Sequence, residues 1–476
     1  MKILHASAEY FPYIKMGGLA DMLASLTKEQ AVTDQVYVAL PYLSKMGGEI
    51  FFTGERFSCL PNSEQRKDSV THEVLRNSSF RMANHGRVKI CFFDSPCFRN
   101  RLSIYGEEEE HYRFAIFSYA CYVLSQTINA DILHCHDWHT AIATALQKSS
   151  VKPIASIFTI HNLAYQGDHP FWMTGFLQED PFRLIPTSYE QNGRCNYMKA
   201  GILSANQLTT VSPGYRNETL LDQNGFGLSP YLRFRANDYK GILNGIDTEE
   251  WNPKSDAKIH SNFSIETWKV GKHKNKEYLY QKIGRPHLDL EKPLIGLIGR
   301  LTHQKGYSHF LEAYVYRKHL PFSYVLLGSG DKDLEDGFFY HSDRDLDSFY
   351  FYNGYNEELA HQIEAASDFF LMPSLFEPCG LNQMYSQTYG TIPIVSRVGG
   401  LNDTVSESLD LKFKTGIVFE PGDSASLGYA LERAKDLYYG TEREFVVQNI
   451  MSLNWSWKFR KKEYDGIYQR AIDEIF

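Results

Sequence analysis

Residues Met1–Asp21, MKILHASAEYFPYIKMGGLAD, decide how the first half of this chain is read. An apolar strand candidate, "MKILHASAE", is followed shortly by "KMGGLAD", Lys15–Asp21, where a helix begins. A glycine pair lets backbone approach a ligand closely. A helix starting there points free N–H groups and the positive end of its dipole outward, and Lys15 adds a full charge. Strand, glycine turn and helix in that order describe an anion cradle. A plain strand-to-helix turn with a surface lysine fits this stretch equally well.

The second half repeats the arrangement. The strand candidate "PLIGLIGRL", Pro293–Leu301, carries Arg300 near its end, "THQKG" follows with Lys305 and Gly306, and a helix begins. One such turn is explained as well by a cap with solvated charges. Two of them, one per half and both at strand ends, argue for an anion site. Around them, strand and helix patterns alternate. The first half offers "QVYVAL", "RVKICFFD", "DILHCHD", "IASIFTIHN" and "QLTTVS"; the second offers "SYVLLGSG", "SFYFYNG", "DFFLMPS", "IPIVSRV" and "GIVFE". Continuous apolar strands separated by helices imply parallel sheets covered on both faces. The expected class is therefore α/β, two doubly wound Rossmann-like domains with ligands at the carboxyl ends of the strands. Two such domains can face each other across a cleft, so that a diphosphate meets Lys15 from one side and Arg300 and Lys305 from the other. Turn-forming residues crowd "GILNGIDTEEWNP", Gly241–Pro253, which places the join there. The expected domains are 1–243 and 244–455, with 456–476 a helical segment returning to the first. Residues 43–85 read as an irregular insertion, "KVGKHKNKEYLYQK" as an exposed helix, and "EEEE" at 107–110 as a solvated loop or helix start.

Composition narrows the class. A chain of 476 residues is too long for one ordinary core. Its net charge of −8 argues against nucleic acid as a main partner. The seven cysteines are scattered without a C-x-x-C, which points to a reducing compartment rather than a disulfide framework or zinc knuckle. Met1 is followed by one lysine, a short apolar run and Glu9, which is neither a signal nor a transit peptide. No apolar run reaches membrane-spanning length, and "RFAIFSYACYVLSQTI" reads as a buried helix. The expected location is the cytoplasm.

The segment Met372–Val405, MPSLFEPCGLNQMYSQTYGTIPIVSRVGGLNDTV, is the richest in candidate chemistry. A strand ends at "FFLMPS", Glu377 follows in a loop, and "CGLNQMYSQTYG" opens a helix. The amides of Cys379, Gly380 and Leu381 are placed to bind sugar hydroxyls or a phosphate oxygen. Glu377 is the carboxylate expected to face a sugar, although a glutamate before proline also serves simply to end a strand. Cys379 is a poor nucleophile candidate, because no histidine lies within ten residues of it in the sequence.

Seven stretches, "KMGGLAD", "HCHDWHT", "IHNLAYQG", "GILNGIDTEEWNP", "IGRLTHQKG", "FEPCGLNQMY" and "GGLNDTV", occur in the order seen in the glycogen and starch synthases, and the chain from Met1 to about Trp457 resembles that family. The resemblance implies the GT-B fold, two facing Rossmann-like domains with a deep interdomain cleft. It implies a retaining hexosyltransferase that moves glucose from ADP-glucose, or another nucleotide-diphosphate glucose such as UDP-glucose, to the non-reducing end of an α-1,4-glucan. The acceptor would be glycogen or a maltooligosaccharide, with no cofactor, metal, nucleic acid or membrane partner. By the matching motifs, Lys15 would contact the donor diphosphate and Gly18 would supply a close backbone contact. Arg300 and Lys305 would neutralise the leaving diphosphate, Glu377 would meet the glucose hydroxyls, and Cys379, Gly380 and Leu381 would line the donor site. His161 would lie against the transferred glucose, with Asn162 and Asn244 as neighbours. Asp137 and His139 would lie near the acceptor, in either a binding or a supporting role.

The chain departs from the family at Leu375, where many members carry arginine, at "ASLTKEQAVTDQVYV", which lacks the usual glycine pattern, and at "AASD". Tyr385, not glutamate, lies eight residues past Glu377, in keeping with the starch-synthase type rather than families with paired glutamates. Retention requires a carboxylate nucleophile or same-face attack assisted by the leaving phosphate; no second carboxylate pairs clearly with Glu377, which favours the latter. Three rivals remain: a metal-dependent transferase using "DKD" at 331–333 or "DRDLD" at 343–347, a non-catalytic glucan binder with aromatic stacking platforms, and a nucleotide-sugar epimerase.

Overall fold

The computed structural model describes residues 1–475 apart from 65, 66, 68 and 107. The chain forms two compact units, Met1–Gly245 with Trp457–Phe476, and Ile246–Ser456. Asn244 and Gly245 thus close the first unit, two residues later than expected; the Asn244 N–H is bonded to the Val211 carbonyl there.

The first unit is built on a nine-stranded sheet in the order Tyr239–Gly241, Gln207–Thr210, Ala155–Ile160, Ile132–His136, Lys2–Ala6, Gln35–Pro41, Val88–Asp94, Ser79–His85 and Phe52–Ser58. The first seven run parallel, and the last two are joined on by antiparallel pairing. The chain moves to one side of Lys2–Ala6 with its next strands and to the other side with Ile132–His136 and those after it. The switch point therefore lies between Lys2–Ala6 and Ile132–His136, which is where doubly wound sheets open a crevice at their carboxyl ends. Helix Gly18–Gln30 buries Leu19, Met22, Leu23 and Leu26 on one stripe, the spacing of a helix with one face on the sheet. Helix Glu110–Thr127 is buried nearly all round, as its run of apolar residues requires. The last helix, Trp457–Asp473, packs on Gly18–Gln30: the Trp457 indole N–H donates to Ser25 Oγ at 2.7 Å, and Lys461 pairs with Asp34 at 3.1 Å.

The second unit holds a six-stranded parallel sheet in the order Phe349–Asn353, Ser323–Gly328, Leu294–Ile298, Phe369–Met372, Ile392–Ser396 and Ile417–Phe419. By the same reasoning its switch point lies between Leu294–Ile298 and Phe369–Met372.

Two local expectations are corrected. The stretch 43–85, of which 65, 66 and 68 lie outside the described residues, holds two strands that were not expected: Phe52–Ser58 and Ser79–His85 extend the sheet as an antiparallel edge. The polar helix Trp268–Lys282 is not simply exposed. Lys272 and Lys276 on it are buried, Lys276 paired with Asp368 at 3.1 Å and Lys272 donating to the carbonyls of Ala365 and Tyr389 and to Thr391 Oγ1. Of the acidic run at 107–110, Glu107 lies outside the described residues and Glu110 opens the long helix. No helix among the described residues is long and apolar enough to cross a membrane.

Candidate active site

In the first unit, the candidate residues gather at the carboxyl ends of Lys2–Ala6 and Ile132–His136. Glu9, just past the first strand, is buried and works as a brace. Its Oε2 accepts the N–H groups of Met16 and Gly17 at 2.7 and 2.8 Å, and its Oε1 accepts the Tyr105 hydroxyl at 2.7 Å. The turn carrying Lys15 is thereby pinned from below. Lys15 Nζ lies 2.9 Å from Asp21 Oδ1 and 5.0 Å from the Phe11 ring centre. Gly18 is exposed as the first residue of its helix.

Asp137 has φ of +57°, a conformation that side-chain-bearing residues rarely adopt and that clusters at functional sites. Its Oδ1 accepts the backbone N–H of His161 at 2.7 Å and of Asn162 at 3.4 Å, so it holds the loop after Ala155–Ile160. Burial pushes its pKa up to about 7 despite those two N–H groups, which favour the anion. His139 is buried against Trp138, Tyr105 and Phe114, with ring centres 4.1 to 4.8 Å away. Burial holds its pKa down at about 3, and its Nδ1 has no hydrogen-bond partner among the described residues. Asn162 Oδ1 accepts the Ala164 N–H, and the Oδ1 of buried Asn244 has no such partner.

His161, half-buried, is tied through its Nε2 to His136 Nδ1 at 2.9 Å. Behind it stand three fully buried histidines, His5, His134 and His136, close enough to surround one ion. Each of their six ring nitrogens already has a hydrogen-bond partner: His5 bonds His136 and Gln30, His134 bonds Tyr468 and Thr159, and His136 also bonds His161. Burial keeps all four imidazoles neutral at pH 7.

In the second unit the candidates lie at the other switch point. Lys305 Nζ donates to Glu377 Oε2 at 2.6 Å, and Ser374 Oγ donates to the same oxygen at 2.9 Å. Gly306 explains why this pair forms. Its φ is +65°, and a Cβ there would lie 1.9 Å from the Pro373 carbonyl oxygen, so only glycine lets the lysine turn press against the loop bearing Glu377. Arg300 is exposed, and its guanidinium has no hydrogen bond or ion pair among the described residues. Past Glu377, Gly380 has φ of +73°, and the amides of Gly380 and Leu381 bond no other group among the described residues. Cys379 is buried. Gly400 N–H donates to the Glu377 carbonyl, and a Cβ on Gly400 would lie 2.4 Å from Cys379.

The structure thus joins Lys305 directly to Glu377, and Asp137 directly to His161 and Asn162. It also connects the Lys15 turn to His139 through Glu9 and Tyr105. Glu9, Tyr105, Ser374 and the buried histidines were not among the expected site residues. The last had a signal: His134 and His136 alternate in "HCH", so they share one face of a strand. The aspartate motifs flank helix Lys332–Arg344; Asp345 is bonded to Lys318, His341 and Tyr314.

Residues 2–234 match the family model for the starch synthase catalytic domain, and residues 281–446 match that for glycosyl transferases group 1. The glycogen synthase of Leptospira biflexa serovar Patoc is 64% identical over 473 residues, covering 99% of each chain. The chain belongs to the glycogen synthase family. It is accordingly a hexosyltransferase that carries glucosyl groups from a nucleotide-sugar donor to a glucan acceptor. Glycogen synthases further away agree: that of Bacillus subtilis (strain 168) is 35% identical over 492 residues, covering 99% of this chain and 98% of its own. Among solved structures, the catalytic domain of starch synthase IV from Arabidopsis thaliana, bound to ADP and acarbose, superposes with a TM-score of 0.87 at 31% identity, covering 99% of both chains. The GT-B fold expected of this family is also that of sucrose-phosphate synthase from Thermosynechococcus elongatus, TM-score 0.61 at 16% identity and 99% coverage of both, a likeness of fold alone.

Proposed function

We propose that the donor is ADP-glucose, that transfer is to the non-reducing end of an α-1,4-glucan with retention, and that Lys305, Arg300 and Glu377 are the catalytic groups of the second unit. The observation that carries this reading is the Lys305–Glu377–Ser374 cluster at the sheet's switch point, with the unpartnered Arg300 guanidinium and the free amides of Gly380 and Leu381 in the same two loops. Breaking the anomeric C–O bond leaves negative charge on the departing diphosphate. Preorganised cations stabilise that charge, and loss of one such group costs on the order of 10²–10³ in rate. Glu377 accepts from Lys305 through Oε2 only, which leaves Oε1 to accept a glucose hydroxyl. The Gly380 and Leu381 amides donate to the donor's oxygens. In the first unit, Lys15 with Gly18 is proposed as a donor-phosphate contact and His161 as a contact to the transferred glucose. Asp137, His139, Asn162 and Asn244 shape the surroundings, Asp137 through the backbone of His161 and Asn162. ADP in the Arabidopsis structure supports the adenine nucleotide. The test is nucleotide release from ADP-glucose and UDP-glucose, each with and without glycogen. Glycogen-dependent release of ADP at a higher kcat/KM than UDP is expected; equal or greater use of UDP-glucose overturns the donor assignment.

A further inference from the structure

The buried histidines form one directed hydrogen-bond chain, and its direction is readable from its far end. Gln30, at the end of helix Gly18–Gln30, donates its Nε2–H to Tyr468 Oη at 2.9 Å. Its Oε1, which can only accept, faces His5 Nε2 at 2.8 Å, so that nitrogen carries the proton. A neutral imidazole has one donor and one acceptor. His5 Nδ1 therefore accepts from His136 Nε2 at 3.0 Å. His136 Nδ1 in turn accepts from His161 Nε2 at 2.9 Å. His161 is left with a lone pair on Nδ1, which bonds no other group among the described residues.

The second branch takes its direction from the same glutamine. Having accepted from Gln30, Tyr468 Oη donates to His134 Nδ1 at 2.9 Å, and His134 Nε2 donates to Thr159 Oγ1 at 2.6 Å. The sheet builds this arrangement. His5 stands opposite His134 in register and His136 opposite Thr159, so all four lie on one face, under the two helices that bring Gln30 and Tyr468.

We propose that Gln30, His5 and His136 are positioning residues that fix His161 in its Nε2–H tautomer, so that Nδ1 meets a hydroxyl of the transferred sugar as a hydrogen-bond acceptor. Tyr468, on the helix that ends the chain, pins the Gln30 amide and so belongs to the same device. The proposal rests on the reading that His161 faces the transferred glucose. It adds that the sugar hydroxyl there must donate, and that the choice is made by residues that touch no substrate. Each ring N–H in the chain has its acceptor, which a buried polar network requires if it is to specify one arrangement.

The test has two arms. In the full-length protein with 15N-labelled histidine, two-bond and three-bond correlations report which ring nitrogen carries the proton, and loss of a signal in His161→Gln assigns it. His161 is expected with Nε2 protonated and Nδ1 bare, and Gln30→Leu is expected to populate the other tautomer. A proton on Nδ1 in the wild type, or no response to Gln30→Leu, overturns the proposal. In the kinetic arm, Gln30→Leu is expected to lower kcat about 3- to 10-fold, the scale of one misdirected neutral hydrogen bond, with donor KM unchanged. The same substitution in a His161→Ala background is expected to cost nothing more. An equal further loss there shows a merely structural role and overturns the proposal. If Gln30→Leu does not fold, Tyr468→Phe takes its place in both arms. Should His161→Ala keep full activity, the glucose-facing reading fails and with it the link to sugar, while the isotope shifts still decide the tautomer.

Discussion

Removing the Glu377 carboxylate separates its two jobs, holding Lys305 and meeting the sugar. Glu377 Oε2 receives Lys305 at 2.6 Å and Ser374 at 2.9 Å, and the two charged side chains are 8% and 22% exposed for Glu377 and Lys305 respectively. Breaking a fully buried ion pair costs about 3–5 kcal/mol, and an exposed pair contributes about 0.2–1 kcal/mol. Lys305 still reaches water, so Glu377→Ala should cost the second unit about 1–3 kcal/mol. At roughly 2–4 °C per kcal/mol for a unit of this size, its melting transition should fall by about 2–12 °C. Glu377→Gln keeps the shape and an acceptor for both donors, so it should fall by only a few degrees. Both variants should lose about 10²-fold or more in kcat. Neither should lose ADP affinity, and the alanine variant should gain some, because a lysine released from its carboxylate is a better ligand for a diphosphate. Scanning calorimetry, titration with ADP and initial rates with ADP-glucose and glycogen measure the three quantities. A Glu377→Gln enzyme with kcat within a few-fold of the wild type would refute the sugar contact and leave Glu377 a structural brace for Lys305.

Lys15→Gln should lower kcat/KM for the donor roughly tenfold or more, the value of one charge-assisted hydrogen bond, with glycogen binding intact; unchanged donor kinetics would remove Lys15 from the phosphate. Because Lys15, Arg300 and Lys305 supply the positive charge that a metal would bring, activity should survive EDTA, and abolition with rescue by Mn²⁺ would favour the aspartate motifs instead. Asp137 gives a pH test. Its folded pKa is raised to about 7 from 3.8 by burial, so its contribution to stability is fully present below pH 4 and is lost as pH rises towards and through 7. Asp137→Asn keeps an oxygen for the His161 N–H and should flatten that part of the melting-temperature profile; an unchanged slope would show that Asp137 titrates normally.

The repeated strand–turn–helix pattern was legible because parallel strands covered on both faces leave continuous apolar runs, as in "KILHASAE" and "PLIGLIGRL". The edge of the first sheet was not. Phe52–Ser58 is largely exposed and pairs on one side only, so its sequence carries no run of buried residues to mark it as a strand. Lys272 and Lys276 misled for a related reason. Lysine reads as exposed, and only the fold supplies Asp368 and a ring of carbonyls to receive them. At the site, Lys305 beside Gly306 was legible as a turn, but not the cause of the glycine, which is the Pro373 carbonyl 67 positions further on. Glu9 was read only as a charge ending an apolar run, since nothing local shows that the amides of Met16 and Gly17 return to it.

The two switch points solve the same problem with different groups, and the difference follows from charge. A parallel sheet brings its loops to one end, where backbone amides and side chains must be held still without strands to hold them. In the second unit a carboxylate, Glu377, holds a cation, Lys305, within reach of water, so both charges can be kept and then shared with a charged ligand. In the first unit Asp137 holds the backbone of the loop bearing His161, while the His161 ring is held from a fully buried layer, where an ion would pay a large desolvation cost. Neutral imidazoles, an amide and a phenol can be ordered there without that cost, provided that each donor finds an acceptor. His5, His136 and Gln30 meet that condition link by link. The cost of the choice is that each of these residues must present a donor on one side and an acceptor on the other, so an apolar exchange at any one of them breaks the chain. His5→Leu should therefore disturb His161 more than its distance from the loop would suggest.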